Sequence, residues 1–158
     1  MRLSKRLKAI ADFVPNGSIV YDVGTDRAHL PVWLLKQGIA AAVFASDVSL
    51  NCINNAKSFA ALQGVSDSIT FICAAGLSDL PLEQCGVVII SGMGGETIIS
   101  IIERLIGCHA GKTLILQANT KLLELSLYLR SNGFDIYHEK LVYDRGRIYL
   151  IQCARTPM

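Results

Sequence analysis

The chain has 158 residues, 51% of them hydrophobic and 18% charged, with a mean hydropathy of +0.41 and a formal charge of +2. That length is one domain's worth and buries roughly two thirds of its unfolded surface; the composition excludes a disordered tail, a collagen-like fibre and a coiled coil. No apolar run approaches the about 18 residues of a membrane-crossing helix, and fifteen Lys and Arg against thirteen Asp and Glu do not by themselves mark a nucleic-acid binder.

Residues 3–13 predict an amphipathic helix with Leu3, Leu7 and Ile10 as its apolar stripe, stopped by Pro15-Asn16-Gly17. Its start carries Arg2, Lys5, Arg6 and Lys8 and no acid, with Lys5 and Lys8 one turn apart. A strand over 18–23 runs into Gly24, and a helix over 30–37 tolerates Pro31 near its start. A second strand, 41–47, ends at Asp47. Helix 49–62 has Ser49 to cap it and Gly64 to close it. Strand 69–73 reads as buried and contains Cys73. Strand 87–91 leads into Gly92-Met93-Gly94-Gly95, then a helix over 96–106 ends at Gly107. Strand 113–117, helix 120–131 and strands 135–142 and 147–153 complete the chain, the last two separated by the hairpin signal Asp144-Arg145-Gly146.

Strands alternating with helices imply an α/β fold, a doubly wound, mostly parallel sheet of seven strands with a C-terminal antiparallel hairpin that adds an antiparallel strand at one edge. No linker or repeat divides it, so residues 1–158 read as one domain. Cysteines at 52, 73, 85, 108 and 153 are odd in number and contain no C-x-x-C pair. They suggest a reduced intracellular protein with neither a disulfide framework nor a metal site. No apolar h-region follows the basic N-terminus, so the expected location is cytoplasmic and no membrane partner is expected.

Ligands of such sheets bind beyond the carboxyl ends of the strands. The loop after the first strand is Asp22-Val-Gly24-Thr25-Asp26-Arg27-Ala-His29. A dinucleotide fingerprint would place a glycine where Asp26 stands, and a carboxylate there repels phosphate. The loop suits a ligand with positive charge and no phosphate, such as S-adenosylmethionine, better than NAD. Asp47 follows Gly24 at roughly the 20-residue spacing of an acid that holds ribose hydroxyls, a spacing that serves either ligand. The glycines of Gly92-Met93-Gly94-Gly95 suit a floor on which a flat base or a methyl donor approaches the backbone, or else a plain turn with Met93 as a core plug.

These residues resemble a known family. Asp22-Val-Gly-Thr-Asp26 with Leu30-Pro31 resembles the first motif of the bacterial tRNA (adenine(22)-N1)-methyltransferases, and Ser91-Gly-Met-Gly-Gly95 resembles their second signature. The helix from Leu3 to Pro15, Gln117-Ala-Asn119, Glu139-Lys-Leu-Val and Arg147-Ile-Tyr149 resemble further family segments in the same order. The resemblance implies a Rossmann-like class I methyltransferase domain, S-adenosylmethionine as cofactor and tRNA as partner. By it, Asp22, Gly24, Thr25, Asp26, Asp47, Val48, Ala75, Gly76, Gly92 and Met93 would line the cofactor. Asp26, His29, Gly92, Met93, Gly94 and Asn119 would lie at the reacting centre, and Lys5, Arg6, Lys8 and Arg27 would contact RNA phosphates. The chain departs from the family at Arg27, His29, Ala75 and Ala118, and it stops about where the family's C-terminal helical domain would begin. Two alternatives remain open: a same-fold methyltransferase acting on another RNA or a small molecule, and a catalytically degenerate domain that binds S-adenosylmethionine or RNA. The sequence leaves the oligomeric state open.

Overall fold

The computed structural model describes residues 1–77, 82–107 and 109–158; Cys108 lies outside the described residues, as does part of 74–79, the loop expected at the carboxyl end of the third strand. The elements are α1 (Lys5–Ala11), β1 (Ser18–Val23), α2 (His29–Lys36), β2 (Ala40–Asp47), α3 (Leu50–Leu62), β3 (Ile69–Cys73), β4 (Val87–Gly94), α4 (Gly95–Ile102), β5 (Thr113–Thr120), α5 (Leu122–Ser131), β6 (Asp135–Asp144) and β7 (Arg147–Arg155). One seven-stranded sheet has the order β3-β2-β1-β4-β5-β7-β6. The pairs from β3 to β5 are parallel, and β7 runs antiparallel to both β5 and β6.

Alternation along the central strands sorts the core into two layers. Val87, Ile89 and Ile115 face α1, α2 and α3 through Ile10, Leu34 and Ala56. Val88, Ile90, Leu114 and Leu116 face α4 and α5 through Ile98, Ile102, Leu125 and Leu129. Strands covered on both faces read as continuous apolar runs, which is why β1, β4 and β5 stand out in the sequence.

Local chemistry fixes the boundaries. Ser49 Oγ accepts from the Cys52 amide at 3.3 Å and caps α3 as its position implied. Ser4 Oγ does the same for α1 through the Leu7 amide at 3.2 Å. The two-residue turn Arg145-Gly146 has positive φ at both positions (50° and 79°), the twist a tight hairpin needs. The antiparallel strand does not take the sheet edge, however. β7 returns beside β5 and leaves β6 outermost. β3 forms the opposite edge, so Cys73, expected to be buried, is exposed. β4 also outruns its expected end, because Met93 and Gly94 stay paired with Ala118 and Thr120 through two register shifts.

Candidate functional site

The strand order reverses between β1 and β4, and a crevice opens at their carboxyl ends. A cleft of ≈ 230 Å³ there is lined by Asp22, Gly24, Thr25, Asp26, Arg27, His29, Ser91 and Gly92, with Arg6, Leu7 and Leu30 closing it. This cleft alone is smaller than the ~300–1,000 Å³ typical of cofactor sites. It shares Gly24 with a second cavity bounded by Asp47, Val48, Gly76 and Met93. That cavity in turn shares Val48, Gly76 and Met93 with a third, of ≈ 400 Å³, that reaches Ala75, Thr97 and Ile101. An elongated ligand therefore has a path from Asp22, past Gly24, to Val48 and Ala75.

The β1 loop is held from below. The Gly24 and Thr25 amides both donate to Ser46 O at 2.8 Å. Asp47 uses one carboxylate oxygen to accept from the Asp26 amide and the other to accept from the Ser49 amide, both at 3.0 Å. Its remaining lone pairs are available to a ligand. Asp26 (φ 52°) and Ala28 (φ 57°) adopt the left-handed conformation close behind Gly24 (φ 74°). Strain of this kind concentrates where a loop is shaped for a ligand. It also explains how an aspartate occupies a glycine position, since Asp tolerates that conformation better than most residues. Gly24 has a further reason to be glycine: the Met93 side chain packs directly over it, and a Cβ there would collide with Met93 Cε. From the β1 strand, the Tyr21 hydroxyl lies 2.8 Å from both Ser46 Oγ and Gly76 O, and its single proton serves the carbonyl, tying the loop after β3 to the sheet.

Asp22 is 5% exposed, in register with Ala45 and Ile89. Burial pushes its carboxyl up to about 7; Thr25 pulls it back, the Asp47 charge adds to the rise, and Arg6 opposes it. Thr25 Oγ1 is buried and completes no full hydrogen bond within the protein. A buried carboxylate and an orphaned hydroxyl in one cleft, with the Arg6 guanidinium on the facing wall, match the ammonium and carboxylate of an amino-acid group.

The opposite wall is set by a hydrogen-bond network. Gln117, fully buried, accepts through Oε1 from Arg6 Nη1 (2.7 Å) and from the Gly92 amide (3.2 Å). Its Nε2 donates to Asn119 Oδ1 at 3.1 Å, and Asn119 Nδ2 donates to Gly92 O at 2.9 Å. The glycine-rich end of β4 is therefore clamped on both backbone atoms of Gly92.

Some expected site residues take other places. Arg6 does not share a face with Lys5 and Lys8: it reaches Gln117, lies 5.5 Å from the Tyr149 ring centre and walls the cleft. Lys5 and Lys8 line a separate groove, and Lys8 pairs with Asp12. Gly94 is the N-cap of α4, where a Cβ would lie 3.0 Å from Thr120 Oγ1. Asn119 donates through Nδ2 to Gly92 O. His29 is the first residue of α2, not a loop residue, and its ring lies 4.8 Å from that of Phe59 while it lines the cleft. Arg6 as a cleft residue has no forewarning in the sequence, and Ser91 and Gln117 stand there only as members of family motifs with no role in the site; the polar Gln117 at the end of an apolar strand is the available signal.

The methyltransferase-domain family profile matches residues 3–152 of this chain. The tRNA (adenine(22)-N(1))-methyltransferase of Bacillus subtilis (strain 168) is 28% identical over 157 residues, which are 99% of this chain and 66% of that protein. The chain thus spans slightly under two thirds of that relative. The structure of Streptococcus pneumoniae Sp1610 in complex with S-adenosyl-L-methionine matches with a TM-score of 0.92 at 32% identity, over 99% of this chain and 74% of that one. M. capricolum TrmK in complex with S-adenosyl-homocysteine matches with a TM-score of 0.87 at 25% identity, over 99% and 70%.

Proposed function

Because this chain belongs to the methyltransferase-domain family, and within it stands with the bacterial tRNA (adenine(22)-N1)-methyltransferases, we propose that it binds S-adenosylmethionine and methylates N1 of an adenine in tRNA. The observation that carries this reading is the cleft at the switch point, where buried Asp22 and orphaned Thr25 Oγ1 face Arg6. The site suits a cationic amino-acid group and has no glycine-rich cradle for a pyrophosphate.

Residues 1–158 act as one cofactor-binding unit in this reading. Asp22 and Thr25 hold the amino group, and Arg6 holds the carboxylate with the guanidinium hydrogens that Gln117 leaves free. Asp47 accepts from the ribose hydroxyls; Val48, Ala75 and Gly76 border the base. Bound S-adenosylmethionine supplies a methyl group on a positively charged sulfur. Adenine N1 has a lone pair at neutral pH, so the protein needs no strong base. Its contribution is to align the base and keep water out. N1 lies on the Watson–Crick edge, so the base must leave its pairing to enter the cleft. The clamped Gly92 presents bare backbone to it, and the Asp26 carboxylate at the cleft mouth faces the positive charge that the methylated ring acquires.

The test is mass spectrometry of an unmodified tRNA transcript incubated with protein and S-adenosylmethionine. One 1-methyladenosine per transcript is expected. Cofactor binding without any methylated nucleoside would instead identify a degenerate binding domain, for which the departure at Ala75 would be the first residue to revert.

A further inference from the structure

Helix α1 separates two concave surfaces. Arg6 and Leu7 face the cofactor cleft, whereas Lys5 and Lys8, with Arg2 and Leu3 ahead of them, line a groove of ≈ 400 Å³. Lys140, Leu141, Val142 and Tyr143 of the outermost strand β6 form its other wall. Four cations and one carboxylate, Asp12, line this groove, and Asp12 is engaged by Lys8. Among the described residues, Arg2, Lys5 and Lys140 form no ion pair. The groove is also partly prebuilt. Lys140 Nζ sits 5.8 Å from the Phe13 ring centre, and Phe13 packs against His138 with ring centres 4.9 Å apart. This contact holds a cation that would otherwise sweep through solvent. Tyr143, 64% exposed, adds an aromatic ring at the groove wall.

Cations along a groove with an aromatic ring at its edge form the pattern that tracks a nucleic-acid backbone. Its position sharpens the assignment. A helix is about 10 Å across, so the groove runs one helix diameter from the cleft that receives the target base. A strand whose base is turned into that cleft must carry its flanking phosphates across or along α1. We propose that the α1–β6 groove holds the phosphate backbone of the RNA substrate beside the methylated nucleotide, with Arg2, Lys5 and Lys140 as its principal contacts. This rests on the methyltransferase reading above for the identity of the RNA.

The test uses fluorescence anisotropy of a labelled, unmodified tRNA transcript titrated with protein over a range of KCl concentrations. Each phosphate contact contributes about 0.7–0.9 to the slope of log K against log salt. The combined variant R2A/K5A/K140A is expected to lower that slope by about 2 and to bind at least tenfold more weakly at low salt. Its affinity for S-adenosylmethionine, read by calorimetry, is expected to stay at the wild-type value, and K57A on α3 is expected to leave the slope unchanged. A wild-type slope in the triple variant overturns the proposal, as does wild-type protein that binds phosphatidylserine vesicles but not the transcript. If the groove variant fails to change RNA binding while the wild type methylates tRNA, only the groove falls. If the slope changes as expected but no methyl is transferred, the groove stands and the methyltransferase reading falls.

Discussion

An Asp22→Asn variant is expected to bind S-adenosylmethionine about 100-fold more weakly than the wild type at pH 8, and to lose the pH dependence that the wild type shows. Asp22 sits at the end of β1 with a strand on either side, and its carboxylate is buried beside Thr25. Removing one charge from a buried, hydrogen-bonded charge pair costs about 3 kcal/mol, which is the hundredfold. The sign of the pH effect follows from the raised carboxyl, at about 7 in the fold against an ordinary value of 3.8. Between these values the folded protein holds a proton that the unfolded chain has released. Asp22 therefore lowers the stability of the ligand-free protein as pH rises through that window, and its effect is constant above about 7. An ammonium ligand needs the ionised form, so binding below about 7 must first expel the proton. Wild-type affinity should rise by up to tenfold per pH unit toward 7 and then level off. Asparagine has the same shape without the charge. Calorimetry from pH 5.5 to 8.5 reads both effects, and thermal melting separates them from unfolding, since D22N should melt no lower than the wild type at pH 8. Undiminished binding in D22N would remove Asp22 from the cofactor site.

The largest effect on stability is expected at Gly95. An added Cβ there would stand 2.5 Å from Lys121 O and 2.9 Å from Thr120 O. Both are backbone atoms, so no side chain can swing aside. Relief requires the β4–α4 junction to separate from the β5–α5 junction, where Lys121 is already held in a left-handed conformation (φ 57°). Overpacking of this kind costs about 2–3 kcal/mol. For a domain of this size, that lowers the melting temperature of Gly95→Ala by roughly 5–10 °C. Gly24→Ala meets only the mobile end of Met93, alongside its backbone strain, and is the milder substitution for the scaffold. Equal melting of G95A and the wild type would show that the two junctions are not in the close contact described.

What the sequence could and could not disclose follows from the range of the forces involved. β1, β3 and α3 were legible because apolar continuity and the Ser49 cap act within a few residues. The end of β4 was not. Three glycines read locally as a turn, yet Gln117 and Asn119, some 25 residues away, bind Gly92 and keep the strand extended. Cys73 was misplaced for a related reason: an apolar strand looks the same at the edge of a sheet as at its centre, and sheet order is a property of the whole chain. The first cleft was largely legible, since Asp22 at the end of β1 and Gly24, Thr25, Asp26 and Arg27 in the loop after it are close neighbours in the chain. Arg6 was grouped with Lys5 and Lys8 by adjacency, although a helix turns about 100° per residue and sends it to a different face. The partner of His29, Phe59, lies on another helix and leaves no local trace.

A switch-point cleft built for S-adenosylmethionine should take that cofactor and refuse NAD. Calorimetric titration of the wild-type protein with each in turn at pH 8 distinguishes the two. Saturable one-to-one binding of S-adenosylmethionine with no measurable heat from NAD is predicted. No binding of S-adenosylmethionine, or tighter binding of NAD, would contradict it.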